Sequence, residues 1–533
     1  TRAIIVLTGT ALGILAALLL ASPLAFSQPC TVIVTNETTL REALNGDGTA
    51  DILPGQTLCI AASFAISGDI PVAFSVVPTS EAQRITIRGE PEVNPATGLP
   101  QITLIVGAPL TNALFNLGAS ADFVTIKSLN LDPGGISNVP RAILTDPDTF
   151  AFRAENLRLL DNGAGDWSTA AFDLAGDNAV ILNNRVDDQD GTTAVCIFLT
   201  GDADNATIDG NRCATDATTR AQYGIVVNGG STARHVIQGN TIIGYADQGI
   251  SILSAGAPPR HLIQNNTILG ENETDIGIYT GSGANGTAEA PGPIIGPGNS
   301  VFGITIGAVQ LNGNWNVVRD NASSFGGPGG PAPGQPLNAT YGIQVVGTDA
   351  VISNNSLYLA HTTVGIDVTS SALRTTISGN RITKDEGVGI RVASGANEVN
   401  IVGNTIRAKD GDGDLTFGGD GIQVVSNANI IRDNDIDLDN PDVVGDQRTG
   451  AHGINVSGND NQILGNQVRR VGSNGVNITG TRNRVDQGSP CIIENNAGHG
   501  VAIATSGNNF VFNCTISNNL GDGVFVNNVP DNL

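Results

Sequence analysis

Short apolar–polar alternations recur along this chain at a near-constant interval. Gly224-Ile225-Val226-Val227, Gly249-Ile250-Ser251-Ile252, Gly342-Ile343-Gln344-Val345, Gly365-Ile366-Asp367-Val368, Gly389-Ile390-Arg391-Val392, Gly421-Ile422-Gln423-Val424 and Gly453-Ile454-Asn455-Val456 share one pattern. Such alternation predicts strands with one buried face. A second phrase, Ile-x-x-Asn, follows each of them, as in Ile181 to Asn184, Ile208 to Asn211, Ile237 to Asn240 and Ile263 to Asn266. It returns at Ile352, Ile377, Ile401, Ile431 and Ile463. The Asn positions from 184 lie 27, 29 and 26 residues apart, and from 355 to 466 they lie 25, 24, 30 and 32 apart. A period in this range predicts a solenoid. Strands this short are stable only when stacked coils turn each strand column into a long parallel sheet around one core. The recurring Asn then acquires a structural task, bonding from coil to coil at a corner.

The repeat divides the chain. Residues 28–80 are less regular and read as an N-terminal cap, which shields the open end of the stack. Residues 81–533 read as coils, interrupted by a Gly/Pro-rich surface loop near 324–336. Poorly formed coils around Asn299 and Asn321 suggest a break in the stack there.

The Gly-Ile/Val-x-Val strands and Ile-x-x-Asn turns resemble the repeats of the pectate-lyase-like superfamily over residues 85 to 528. Thr38-Thr39-Leu40-Arg41-Glu42-Ala43-Leu44 resembles the opening of bacterial surface β-helix proteins. The resemblance implies an all-β fold, a right-handed parallel β-helix with an N-terminal cap. It leaves function open, because that superfamily holds polysaccharide lyases, glycoside hydrolases, epimerases, tailspikes and adhesins.

Composition narrows the partners. A formal net charge of −24 repels phosphate backbones and excludes nucleic acid as a partner. It also repels anionic polysaccharides unless bound cations or a local arginine cluster bridges them. Residues 1–27 read as a secretory signal peptide, with Arg2 ahead of an apolar run and small residues at Ala25 and Ser27. An uncleaved membrane anchor is the competing reading. No Met occurs, even at position 1, which suggests a fragment, with a C-terminal segment missing as well. Secretion makes disulfides of the six cysteines, and their positions suggest Cys30–Cys59, Cys196–Cys213 and Cys491–Cys514. The last pair shares a repeat column one coil apart.

Three groups of residues could carry chemistry. Asp410, Asp412 and Asp414 alternate with glycines in one inter-coil loop, and Asp437 and Asp439 belong to the next. This spacing can wrap oxygen ligands around Ca²⁺, and a solvated acidic loop is the plainer reading. Asp420, His452, Asn474, His499 and Asp522 precede successive Gly-led strands. Asp420 and His452, with Arg469 and Arg470 in the following loop, could perform acid–base chemistry on a sugar; a turn column favouring small polar residues is the alternative. His235 and His261 share a column with Ala206, Ala350, Asn429, Asn461, Cys491 and Cys514, which suggests structural stacking. The lyases of the resembled superfamily pair an Arg base with calcium-binding carboxylates, and Arg391, Arg407 and Arg432 are the positions available for that role.

The sequence therefore predicts a secreted or cell-surface β-helix that binds a polysaccharide or surface glycan along one strand-built face. A calcium-assisted polysaccharide lyase, hydrolase or epimerase centred on 410–470 is the alternative. A surface protein with no ligand is the third reading.

Overall fold

The computed structural model describes all residues except 1–28, 46–50, 137, 161–166, 190–193, 202, 216–219, 230–233, 256–260, 272–273, 326–339, 360–363, 385–386, 409–418, 440–450, 487–490, 505–506 and 528–533. The signal-peptide segment, most of the Gly/Pro loop, and Asp410, Asp412 and Asp414 lie outside the described residues. The rest forms the expected right-handed parallel β-helix.

One coil shows how the repeat closes. Gln248–Ala255 lies in sheet C, Leu262–Gln264 in sheet A and Thr267–Leu269 in sheet B. The next coil returns to sheet C at Ile276–Ala284. Each strand pairs in parallel with its equivalent one coil on: Ile250 opposite Ile278, Ile237 opposite Ile263, Ile242 opposite Ile268. Sheet A alone collects 18 strands. Its strands are mostly three residues long, with only the middle side chain turned inward. Each inward Ile or Val, buried completely, stabilises by about 1.5–3 kcal/mol. These side chains form one continuous core from Val34 to Ile503.

The Ile-x-x-Asn phrase builds the corner between sheets A and B. Its third residue takes the left-handed backbone, as at Asn183 (φ 53°), Gly239 (φ 65°) and Asn354 (φ 55°), a region that favours Gly and Asn. The following Asn turns into the interior. Asn240 donates from Nδ2 to Oδ1 of Asn266 at 2.9 Å and to the Ile208 carbonyl at 3.0 Å. Its Oδ1 accepts from the backbone N–H and the Nδ2 of Asn211. The same bonds run through Asn299 and Asn321 to Asn355, so the stack is unbroken where the sequence suggested a break.

All three expected disulfides are present. One column assignment needs correction. Cys491 and Cys514 do not share the column of His235. Ile492 N–H bonds to the Asn466 carbonyl and Thr515 N–H to the Cys491 carbonyl, as Gln467 N–H does to Asn434. The disulfide thus continues the asparagine column. Ile493 to Asn496 repeats the familiar phrase at a different corner, between sheets B and C, where Asn496 bonds to Asn519.

At the N-terminal end, helix α1 (Glu37–Leu44) is capped by Asn36, whose Oδ1 accepts from Thr39 N–H at 3.0 Å. It buries Leu40, Ala43 and Leu44 across the end of the core. The ladder already starts within the region read as a cap, since Val32–Val34 pairs with Thr57–Ile60. The last described coil leaves Phe510, Leu520, Val524 and Val526 exposed.

Candidate functional site

Asp420 and His452 stand at the turn into sheet C, where each side chain serves the backbone of the next coil. Asp420 Oδ1 accepts from His452 N–H at 2.9 Å, and His452 Nδ1 from Asn474 N–H at 3.3 Å. Asn474 and His499 continue the series. Asp420 Oδ2 takes the Asn455 side chain at 2.8 Å. The two candidates are therefore neighbours joined through backbone, and no carboxylate–imidazole contact joins them. Beside Asp420 lies Lys384, fully buried, with Nζ donating to the carbonyls of Gly387 and Gly419 at 2.7 Å. Burial pulls its ammonium down to about 8.

Arg469 and Arg470 belong to a separate group at sheet B. Asp435 binds Arg407 and Arg469, and Asp437 binds Arg470, which also reaches Asp439 at 2.8 Å. Burial alone would raise the Asp435 carboxyl, but hydrogen bonds from Arg407 and Arg469 hold it below its ordinary range. Asp437 and Asp439 are thus engaged by a guanidinium. Among the described residues, no hydrogen bond or ion pair joins Asp420 or His452 to Arg469 or Arg470. Arg391, on sheet C, is held by Asp367 at 2.8 Å.

The stacking expected of His235 and His261 is present, with ring centroids 4.8 Å apart. Their column carries Asn429 and Asn461 in later coils, and imidazole does the work of the amide. His235 Nδ1 accepts from Ala206 N–H and His261 Nδ1 from His235 N–H. This places the ring proton on Nε2. Burial lowers the two imidazoles to about 4 and about 3. Among the described residues, the one group of His, Cys, Asp and Glu atoms close enough to hold an ion is Cys30, Cys59 and Glu90. Its cysteines form a disulfide, so it offers no thiolates.

A further constellation escaped the sequence reading. The outward position of successive sheet C strands runs Asp173, Phe198, Val226, Ser251, Tyr279, Gln310, Gln344, Asp367. Ala170, Val195 and Val226 form a small outer apolar cluster against which Phe198 and Tyr223 pack. Tyr279 accepts from Asn312 Nδ2 at 2.9 Å, and Tyr341 donates to Gln310 at 2.9 Å, its ring lying over Gly307. Burial and the Asp247 charge raise the Tyr223 phenol. Burial also raises the Asp173 carboxyl, against the pull of Arg141. Asp173 Oδ1, Gln248 Oε1 and Ser251 Oγ are buried on this face with no hydrogen-bond partner. Aligning the variable residue of each Gly-Ile-x-Val phrase would have exposed the series.

Comparison with solved structures gives β-helix proteins. The PL6 family alginate lyase AlyGC aligns over 94% of this chain and 100% of its own, at 11% identity and a TM-score of 0.33. The tailspike of E. coli bacteriophage HK620, solved with a pentasaccharide, aligns over 83% and 73%, at 9% identity and 0.45. DFA-IIIase from Arthrobacter chlorophenolicus A6 aligns over 65% and 88%, at 14% and 0.38. With TM-scores below 0.5, these likenesses carry no argument about this chain. No curated protein matches the chain. The family "Right handed beta helix region" matches residues 452–533. The family "Periplasmic copper-binding protein (NosD)" matches residues 130–288 and 295–445, more than half of the sequence, and the chain belongs to that family.

Proposed function

We propose that this chain is an extracytoplasmic β-helix that holds a polysaccharide along the outer face of sheet C. The observation that carries this reading is the coincidence of three orphaned polar atoms with an aromatic platform. Asp173 Oδ1, Gln248 Oε1 and Ser251 Oγ lie on the face that carries Phe198, Tyr223 and Tyr279. A buried polar atom left without a partner costs about 1–3 kcal/mol. Sugar hydroxyls satisfy such atoms while the apolar faces of the rings pack on the aromatics. Disulfides fit a location outside the cytoplasm. Among the described residues no helix is long and apolar enough to cross a membrane.

Copper, named in the family description, does not fit the donors described. The chain has no Met, and all six cysteines are paired. His235 and His261 are buried with Nδ1 engaged. His452 and His499 stand two coils apart, roughly 10 Å. His361 lies outside the described residues.

The test is binding of a panel of neutral polysaccharides to the wild type and to Tyr279→Ala and Ser251→Ala. Binding weakened about tenfold by Tyr279→Ala, about 1.4 kcal/mol, supports the reading. Equal binding by wild type and both variants, or binding to no member, defeats it. Release of oligosaccharides in the same assay would favour the calcium-assisted lyase, hydrolase or epimerase over a binding module, with Asp420, His452, Arg469 and Asp437 as the residues to substitute next.

A further inference from the structure

We propose that Arg158, Arg185 and Arg212 form an anion ladder on sheet B that binds a polyanionic polysaccharide, one with carboxylate or sulfate groups repeated along its chain. The inference stands apart from the sheet C reading, since it uses a different sheet and an anionic ligand in place of a neutral one.

The three arginines occupy one register position in consecutive coils. Neutral residues flank them, Asn130 before and Thr241 after. Neighbouring coils are about 4.8 Å apart, so the guanidiniums repeat at that step. All three turn Nε toward a single carboxylate, Asp187. Arg185 hydrogen-bonds to it, Arg158 Nε lies 3.5 Å away and Arg212 Nε 3.4 Å away. Arg158 Nε itself is buried without a hydrogen-bond partner. Among the described residues, none of the terminal Nη groups of the three makes a hydrogen bond. Their side chains are 32%, 43% and 39% exposed.

Charge explains why this is a site and not merely a cluster. Guanidiniums one coil apart repel one another. Among the described residues Asp187 is the carboxylate that pairs with all three, one negative charge against three positive. On sheet A, Glu155 pairs with Arg153, and Asp209 accepts from the Gln238 side chain. Three planar forks in a row, their Nη groups making no hydrogen bond to the described residues, match oxyanions that recur along a strand of ligand. In a chain of net charge −24, this ladder is where an anionic glycan can approach.

Binding of dextran sulfate and polygalacturonate is measured against uncharged dextran and inorganic sulfate. The proteins are wild type, Arg158→Gln/Arg185→Gln/Arg212→Gln, Asp187→Asn, and Arg482→Gln as a remote control, each checked for native circular dichroism. The wild type should bind at least one polyanion, with affinity falling as salt rises. The triple variant should lose at least tenfold, and Asp187→Asn should bind about threefold tighter, a gain that damage to the fold would not produce. Arg482→Gln should match the wild type. Wild type failing to bind either polyanion, equal binding by the triple variant, or binding of inorganic sulfate without either polymer overturns the proposal.

Discussion

Sheet B carries two arginine clusters of opposite balance. Around residue 435, Arg407, Arg469 and Arg470 meet Asp435, Asp437 and Asp439, and each guanidinium has a carboxylate of its own or shares one. Around residue 187, three arginines share one carboxylate. The sequence drew attention to the first because it is dense in charge. Its density is what closes it: opposite charges satisfy one another and fasten adjacent coils. The second cluster is sparser and keeps its hydrogen-bonding capacity for something outside the chain.

The largest expected effect tests what the two clusters share. Asn211 directly precedes Arg212, and Asn434 directly precedes Asp435; both belong to the buried amide column. Asn211→Ala and Asn434→Ala should each cost about 4 kcal/mol, near 1 for each of the four hydrogen bonds lost. Hydrogen exchange should show the loss confined to neighbouring coils, because solenoid coils couple to their nearest neighbours. Loss spread evenly over the molecule would contradict that.

Next in size, Asp435→Ala should lower stability by about 1–2 kcal/mol, the half-exposed setting reducing the cost of a broken buried pair. Asp187→Asn should cost less than about 1 kcal/mol, with salt restoring part of it. Equal losses in denaturant titrations would erase the distinction between the clusters.

Acid should separate the two regions further. His235 and His261 lie in the coils that follow Arg212, held neutral at about 4 and about 3 against an ordinary 6.5. The unfolded chain binds more protons between those values, so stability is full above pH 6.5 and falls as pH drops toward 3. Exchange protection should therefore fail around residues 206–266 before it fails around 435. His235→Asn/His261→Asn should flatten the difference, since Asn fills the same column at 429 and 461. An unchanged acid profile in that variant would reject the account. The smallest effect is expected of Arg482→Gln at the exposed Arg482–Asp460 pair, with no measurable change in Tm.

Much of this was readable in the chain. Buried side chains must repeat where coils repeat, so Ile and Asn announced the sheets and one corner. The same logic failed at Asn496, because a strand followed by a left-handed residue and Asn builds two different corners, and sequence shows the phrase without the corner. For His235 it found the column shared with Asn429 without the reason, which lies in an acceptor atom and not in residue type. Outward positions were least legible. Tyr279 and Arg185 need no resemblance to the residues one coil away, and a site assembled from one residue per coil has no contiguous motif.

The amide column also makes the molecule a ruler. From Asn211 to Asn434 each column Asn gives to one neighbour and receives from the other, so a whole coil could be spliced in or removed there with both seams chemically identical to the originals. Such an edit would slide the tyrosine face and the arginine ladder along the long axis in fixed increments. Ligand reach in this architecture is therefore quantised, set by how many coils lie between two contacts and not by how any loop bends.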